Sequence, residues 1–126
     1  MDYFPLFADL KGRPVLVVGA GHVALRKIRQ LLRCGAVVRI AADRLHPKVA
    51  TLHGAGRVEW AARAFSPELL DTAFLAVAAT DDSDLNERVF QAAQSRRLLV
   101  NTVDDPARCN FIIPSIIDRN PIQIAI

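Results

Sequence analysis

The sequence predicts an α/β fold, a doubly wound parallel sheet with helices on both faces. Three observations carry that expectation. Val15-Leu16-Val17-Val18 is a continuous apolar run, the pattern of a strand covered on both faces. Such runs alternate with helical segments as far as Val100, which is the grammar of parallel crossovers. The composition is 52% hydrophobic but only 6% aromatic, so Val, Ile, Leu and Ala must build the core. That mix suits a sheet clad in helices better than an aromatic-rich sandwich.

The elements follow in order. Phe4–Ala8 is a short apolar piece ended by the turn-prone Lys11-Gly12-Arg13-Pro14, and Val15–Val18 is the first strand. After Gly19-Ala20-Gly21, a helix runs from His22 to Cys34, with Val23, Ile28, Leu31 and Leu32 as its larger apolar residues and Gly35 as its stop. Val37–Ala41 is the second strand. His46–Ala55 reads as a short helix with Pro47 in its first turn. Val58–Ala61 is the third strand, and Ser66 caps a brief helix to Leu70. Phe74–Ala78 is the fourth strand. Asp82 or Ser83 caps a helix reaching about Arg97, and Leu98–Val100 is the fifth strand.

After Pro106 the pattern changes. Phe111-Ile112-Ile113 and Ser115-Ile116-Ile117 approach a turn at Asp118-Arg119-Asn120-Pro121, and Ile122–Ile126 leads away from it. That predicts a hairpin. The chain ends on Ile126 in mid-strand, as expected of a piece of a longer protein.

The 126 residues suffice for one domain with its own core. The net charge of +3 comes from 16 basic and 13 acidic residues that are scattered, without the clustered Lys/Arg and interleaved aromatics of a nucleic-acid groove. A mildly basic surface fits small polyanionic ligands equally well. Cys34 and Cys109 stand far apart with no Cys or His at ligand spacing, so no metal site is predicted and both thiols read as reduced, buried and structural. No signal pattern opens the chain, and no apolar stretch approaches the ~20 residues of a membrane span. The expected location is the cytoplasm.

Gly19-Ala20-Gly21-His22-Val23-Ala24 forms a G-x-G-x-x-A pattern between an apolar strand and an amphipathic helix. Gly19 permits the tight turn, Gly21 lets the backbone approach a pyrophosphate, and Ala24 lets helix sit on strand. The N–H groups of Gly21, His22 and Val23 then face the phosphates, aided by the helix dipole. Dinucleotide binding is the functional reading, against a purely structural turn. Asp43, 24 residues after Gly19, closes the second strand where a carboxylate accepts from ribose hydroxyls and favours NAD over NADP. Arg44 beside it could instead pair with a 2′-phosphate, and Asp43 could also cap the next helix. Thr80 follows the fourth strand at the nicotinamide end and is a candidate cofactor contact, against the plain reading that Asp82 or Ser83 merely caps the next helix there. His22 reads as a backbone contributor rather than a catalytic histidine. Asp104 follows the fifth strand and is either a general base beside the nicotinamide or part of an ordinary Asp-Asp-Pro turn.

A wider set of residues then points further. Tyr3-Phe4-Pro5-Leu6-Phe7 with Leu10 and Val17–Lys27 opens the chain. Ala76-Val77-Ala78-Ala79-Thr80-Asp81-Asp82 with Leu85-Asn86 follows, and Asn101-Thr102-Val103-Asp104, Phe111–Ser115 and Asp118-Arg119 close it. This set resembles the precorrin-2 dehydrogenase/sirohydrochlorin ferrochelatase family, found at the N-terminus of bacterial sirohaem synthase. The resemblance implies a Rossmann domain over residues 1–110 that binds NAD+ and oxidises precorrin-2 to sirohydrochlorin. It also implies insertion of ferrous iron, a substrate and not a resident metal, to give sirohaem. The family's catalytic aspartate falls on Asp104, and its cofactor contacts fall on His22, Val23, Asp43 and Arg44. Residues 111–126 match the start of a dimerisation element, implying a homodimer. Arg108 and Arg119 are candidates to meet the carboxylates of the tetrapyrrole. The family continues through a serine/glycine-rich stretch and a helical domain over the substrate cleft, so this chain alone is expected to bind NAD yet lack full turnover. The rival readings are a nucleotide-sensing module of a regulatory or transport protein, and a lineage that keeps only iron insertion.

Overall fold

A computed structural model describes residues 2–114 and the backbone of residues 116–119 and 122–125. Five strands form one parallel sheet: β1 (Pro14–Val18), β2 (Val37–Ala41), β3 (Glu59–Ala62), β4 (Leu75–Ala78) and β5 (Leu99–Thr102), ordered β3-β2-β1-β4-β5. Both neighbours of β1 run parallel to it, with Val17 opposite Ile40 on one side and Val77 on the other. The helices are α1 (His22–Arg33), α2 (Pro47–Gly54) and α3 (Ser83–Ser95). The fold class predicted above is what the structure shows.

Alternation inside the apolar runs explains the two-sided cladding, since successive side chains of a strand point to opposite faces. Val15 and Val17 pack with Val38, Ile40, Leu75 and Val77 under Ala24, Leu25, Ile28 and Leu31 of α1 and Val49 of α2. Leu16 and Val18 pack with Ala41, Ala76, Ala78 and Val100 under Val89 and Ala93 of α3, with Leu70 beside them. Fully burying each Val, Leu or Ile stabilises by about 1.5–3 kcal/mol relative to exposure. The helices stop in one manner. Gly35 sits at φ +78° with its N–H on Leu32 O while Ala36 N–H reaches Leu31 O; Gly56 at φ +72° ends α2 likewise, and Arg97, not a glycine, takes φ +57° after α3.

Of the apolar residues of α1, Val23 is 40% exposed, and Ala24 and Leu25 join Ile28 and Leu31 on the inward face. Several expectations need correction. Cys34 is exposed, because it follows the last turn of α1 off the stripe made by Ala24, Ile28 and Leu31; both thiols are free. The segment after Ser66 is a 3-10 turn, Pro67–Leu70, and the Ser66 side chain makes no capping bond. Phe111-Ile112-Ile113 is not a strand, since Phe111 packs against the α1-side core and its carbonyl accepts from Asn101 Nδ2 at 3.0 Å. A hairpin does follow, but Asp118 and Arg119 belong to β6 (Ile116–Arg119), whose ladder with β7 (Ile122–Ala125) extends to the Arg119–Ile122 pair. The rest of that predicted turn, with Ser115 and Ile126, lies outside the described residues.

The free edge of β5 is closed by side chains and not by another strand. Asn110 Oδ1 accepts from Val100 N–H at 2.7 Å, its Nδ2 donates to Leu98 O at 2.7 Å, and its own N–H reaches Val100 O at 3.0 Å. One carboxamide thus copies the pairing of an absent neighbour strand. Asn110→Ala should therefore cost about 1–2 kcal/mol, read as a lower urea midpoint at unchanged m.

Candidate functional site

The carboxyl ends of the strands open onto a cleft of about 980 Å³. Gly19, Gly21, His22, Val23, Asp43, Arg44, Thr80 and Asp104 all line it. Eight residues spread over more than eighty positions of sequence are brought together because every strand of a parallel sheet ends at the same edge. The cleft lies where the chain order reverses, between β1 and β4, the usual ligand position in open α/β sheets.

The glycine loop shows two different needs. Gly19 has φ +112°, and a Cβ there would sit 2.4 Å from the carbonyl oxygen of Ala79, so only glycine lets the loop press against the end of β4. Gly21 has an ordinary φ of −89° and open space around a Cβ. It stands at the N-cap of α1 and makes no side-chain cap, and the first turn carries no acidic residue. The helix dipole and the leading N–H groups are left for an anion in the cleft. An uncapped helix start, a bare glycine beside it and a carboxylate at the end of β2 fit a dinucleotide.

The alternatives left open by sequence resolve locally. Asp43 does not cap α2: His46 does, its Nδ1 accepting from Lys48 N–H at 3.0 Å. Asp82 caps α3, accepting from Asp84 and Leu85 N–H at 3.0 and 3.1 Å. Thr80 lies in the cleft wall, but its hydroxyl is engaged with Asn86 Oδ1 at 2.6 Å while Asn86 Nδ2 returns a bond to Thr80 O at 3.0 Å. It holds the β4 loop and leaves its methyl beside Gly19.

Asp104 is an exposed residue at φ +60°, a left-handed position that Asp tolerates better than most. Asp105 N–H closes the turn on Thr102 O at 3.2 Å, and with Val103 at negative φ this is a type II turn. Cys109 Sγ accepts from Thr102 N–H at 3.1 Å and donates toward the carbonyls of Thr102 and Asp105. Burial pushes that thiol up, so it stays a protonated donor. Behind Asp104 a smaller recess of about 180 Å³ is lined by Lys27, Thr102 and Cys109 among others. Burial lowers Lys27, Arg26 lowers it further, and the charge of Asp104 partly offsets both. The Thr102 hydroxyl is buried there without a partner among the described residues.

Arg108, a candidate for substrate carboxylates, is not in the cleft. It is tied to Asp105 and Glu87, and those hydrogen bonds raise its already high pKa. The Arg119 side chain lies outside the described residues. Sequence reasoning missed Arg63, His46 and Arg88, which line the cleft, and Lys27. Arg63 alone had a readable signal, since it follows the third strand just as Asp43 follows the second. Among the described residues no three His, Cys, Asp or Glu are placed to hold a metal, and no helix is long and apolar enough to cross a membrane.

Fold and site together define a dinucleotide-binding domain of the Rossmann type. A family model described as NAD(P)-binding matches residues 6–115, and the chain belongs to that family. Over its whole length the chain is 54% identical to a siroheme synthase of Actinobacillus pleuropneumoniae serotype 7 and 58% identical to siroheme synthase 1 of Pectobacterium atrosepticum. It spans about a quarter of the length of these curated relatives, 26% of each. Among solved structures it is similar to SirC, a precorrin-2 dehydrogenase, with TM-score 0.81 and 28% identity over 98% of this chain and 61% of that one. The resemblance drawn from the sequence motifs is borne out by these relatives, and so is an NAD-type cofactor.

The two glycines should separate in experiment. Gly19→Ala must relieve both a strained φ and a backbone clash, so it should cost about 3 kcal/mol and lower Tm by roughly 10 °C. Gly21→Ala should stay within about 1 kcal/mol of wild type while weakening NAD+ binding, measured by calorimetry.

Proposed function

We propose that the chain is the NAD-dependent dehydrogenase part of a sirohaem-synthesising enzyme, which oxidises precorrin-2 to sirohydrochlorin, with ferrous iron as a substrate of a following insertion step. The single observation carrying this reading is the gathering of the glycine loop, Asp43 and Asp104 on one cleft of a chain whose relatives are siroheme synthases.

When bound, NAD+ supplies the hydride acceptor. The first turn of α1, with His22 and Val23, holds the pyrophosphate, Gly19 and Gly21 giving it room. Asp43 accepts from the ribose hydroxyls, with Arg44 beside it. Thr80 positions the β4 loop under the nicotinamide half. Oxidation removes a hydride and a proton from the tetrapyrrole, and Asp104 is the base that takes the proton. Its exposed carboxylate at the β5 end is open to a bulky substrate. The same carboxylate can receive pyrrole protons as iron enters.

Residues 1–110 form the cofactor domain and 111–126 begin a dimerisation element. The β6–β7 hairpin is a two-stranded sheet separate from the main one. A lone hairpin is marginal in water, which favours packing against a second subunit in a homodimer. The reaction is placed in the cytoplasm. The relatives favour this enzyme reading over a nucleotide-sensing module.

The test is anaerobic turnover of precorrin-2 with NAD+ by the full-length protein, monitored by the appearance of NADH. Asp104→Asn is the informative variant because Asn also tolerates the left-handed backbone. It should lose about 10²–10⁴-fold in rate with NAD+ affinity within twofold. Full activity in that variant would remove Asp104 from the chemistry. Turnover absent from folded wild type that binds NAD+ would overturn the dehydrogenase reading.

A further inference from the structure

Beyond the ribose acceptor Asp43, the cleft wall continues to the end of β3, where Arg63 lines it. The Arg63 guanidinium carbon lies 4.6 Å from the centroid of the Trp60 ring, and Nη1 donates to the backbone carbonyl of Asp43 at 3.3 Å. Trp60 is itself fixed. Its Nε1 donates to Ala42 O at 2.8 Å, and His53 meets it edge-on with ring centroids 5.9 Å apart at 89°. The indole is not part of the cleft lining, whereas Arg63 is, and Arg63 is exposed. Arg63 thus borders both the indole and the cleft. No described carboxylate pairs with it.

We propose that Arg63, seated on Trp60, is the platform on which the adenine ring of the dinucleotide stacks. This rests on the cofactor reading above and deepens it by assigning the base-binding residue. In a sheet of this order the phosphates lie over the glycine loop and the adenosine ribose at the end of β2, so the next group outward, toward β3, is the base. A guanidinium is planar, delocalised and weakly hydrated, and it stacks on aromatic faces. A purine offers such a face, and bases stacked on arginine planes are a recurrent mode of recognition. Here the cation already lies over an indole ring, 4.6 Å from its centroid, and is tied to Asp43 O. The bond to Asp43 O joins the base platform to the ribose acceptor, so one clamp sets the spacing of both.

Trp60 is the sole tryptophan of the chain, so its emission reports directly on this stack. The chain would be titrated with NAD+, AMP and nicotinamide mononucleotide, following Trp60 emission and, separately, heat of binding. Wild type should bind NAD+ and AMP with a change in Trp60 emission. Arg63→Ala should bind both about tenfold more weakly and leave nicotinamide mononucleotide unaffected. Arg63→Lys keeps the charge and a donor for Asp43 but loses the plane, so it should weaken AMP as much as the alanine variant does. AMP affinity within twofold of wild type in either variant overturns the stack. Equal weakening of nicotinamide mononucleotide also overturns it, since the effect would then be a general distortion of the cleft. Wild type that binds neither NAD+ nor AMP overturns the cofactor reading itself, and this inference with it.

Discussion

The arrangement depends on one close approach, the backbone of Gly19 against the carbonyl of Ala79, where a Cβ would come within 2.4 Å. That contact joins the end of β1 to the end of β4 at the point where the chain order reverses. Ala79 N–H reaches back to Val18 O at 2.8 Å, and Gly19 N–H reaches Ala41 O at 2.9 Å on the other side. Three strand ends are thus drawn into one plane. With a bulkier loop they would splay, and the uncapped start of α1 would no longer sit over the gap between them. The cleft follows from that closeness, with the glycine loop among its lining.

The two ends of the cleft are built by different devices. At the β2–β3 end, Asp43 is held through its own carbonyl by Arg63, which lies on Trp60. At the β4–β5 end, Thr80 and Asn86 exchange hydrogen bonds, and Asp104 rides on a turn knitted from behind by Cys109. Each end is local, so either can change without moving the other. That separation suits a ligand whose adenosine half needs only to be held while its other half must meet a second reactant.

Much of this was legible because it rests on short-range pattern. Continuous apolar runs mark strands covered twice, and Gly19, Gly21 and Ala24 sit in the spacing that a tight strand–helix turn demands. Asp43 and Asp104 were readable from their places just past strands. What stayed hidden depends on facing. Whether Val23 points to the core or the cleft is decided by how α1 lies on β1, which no spacing states. That Asn110 would stand in for a sixth strand requires knowing that β5 is an edge. Arg108 looked free in sequence, yet the 3-10 turn Pro106–Arg108 folds it back onto Asp105 and α3 brings Glu87 to it. Arg63 gains its meaning only from Trp60, three residues earlier, because β3 ends between them.

Asp104 shows how constraint and proposed chemistry meet. A non-glycine residue at φ +60° costs of order 1 kcal/mol and persists only where its surroundings leave it no alternative. Here the surroundings do so. Asp105 N–H binds Thr102 O, the Cys109 thiol occupies the polar groups on either side, and Arg108, itself held by Glu87 of α3, pins Asp105. The carboxylate just before Asp105 is left with no cation partner within 4 Å among the described residues. Two adjacent aspartates therefore divide the work: Asp105 takes the ion pair that makes the turn rigid, and Asp104 is held out, exposed and unpaired. If Asp104 is the base proposed above, it needs no rearrangement of its own turn before it takes a proton, because the strain of its backbone has already been met by the groups around it.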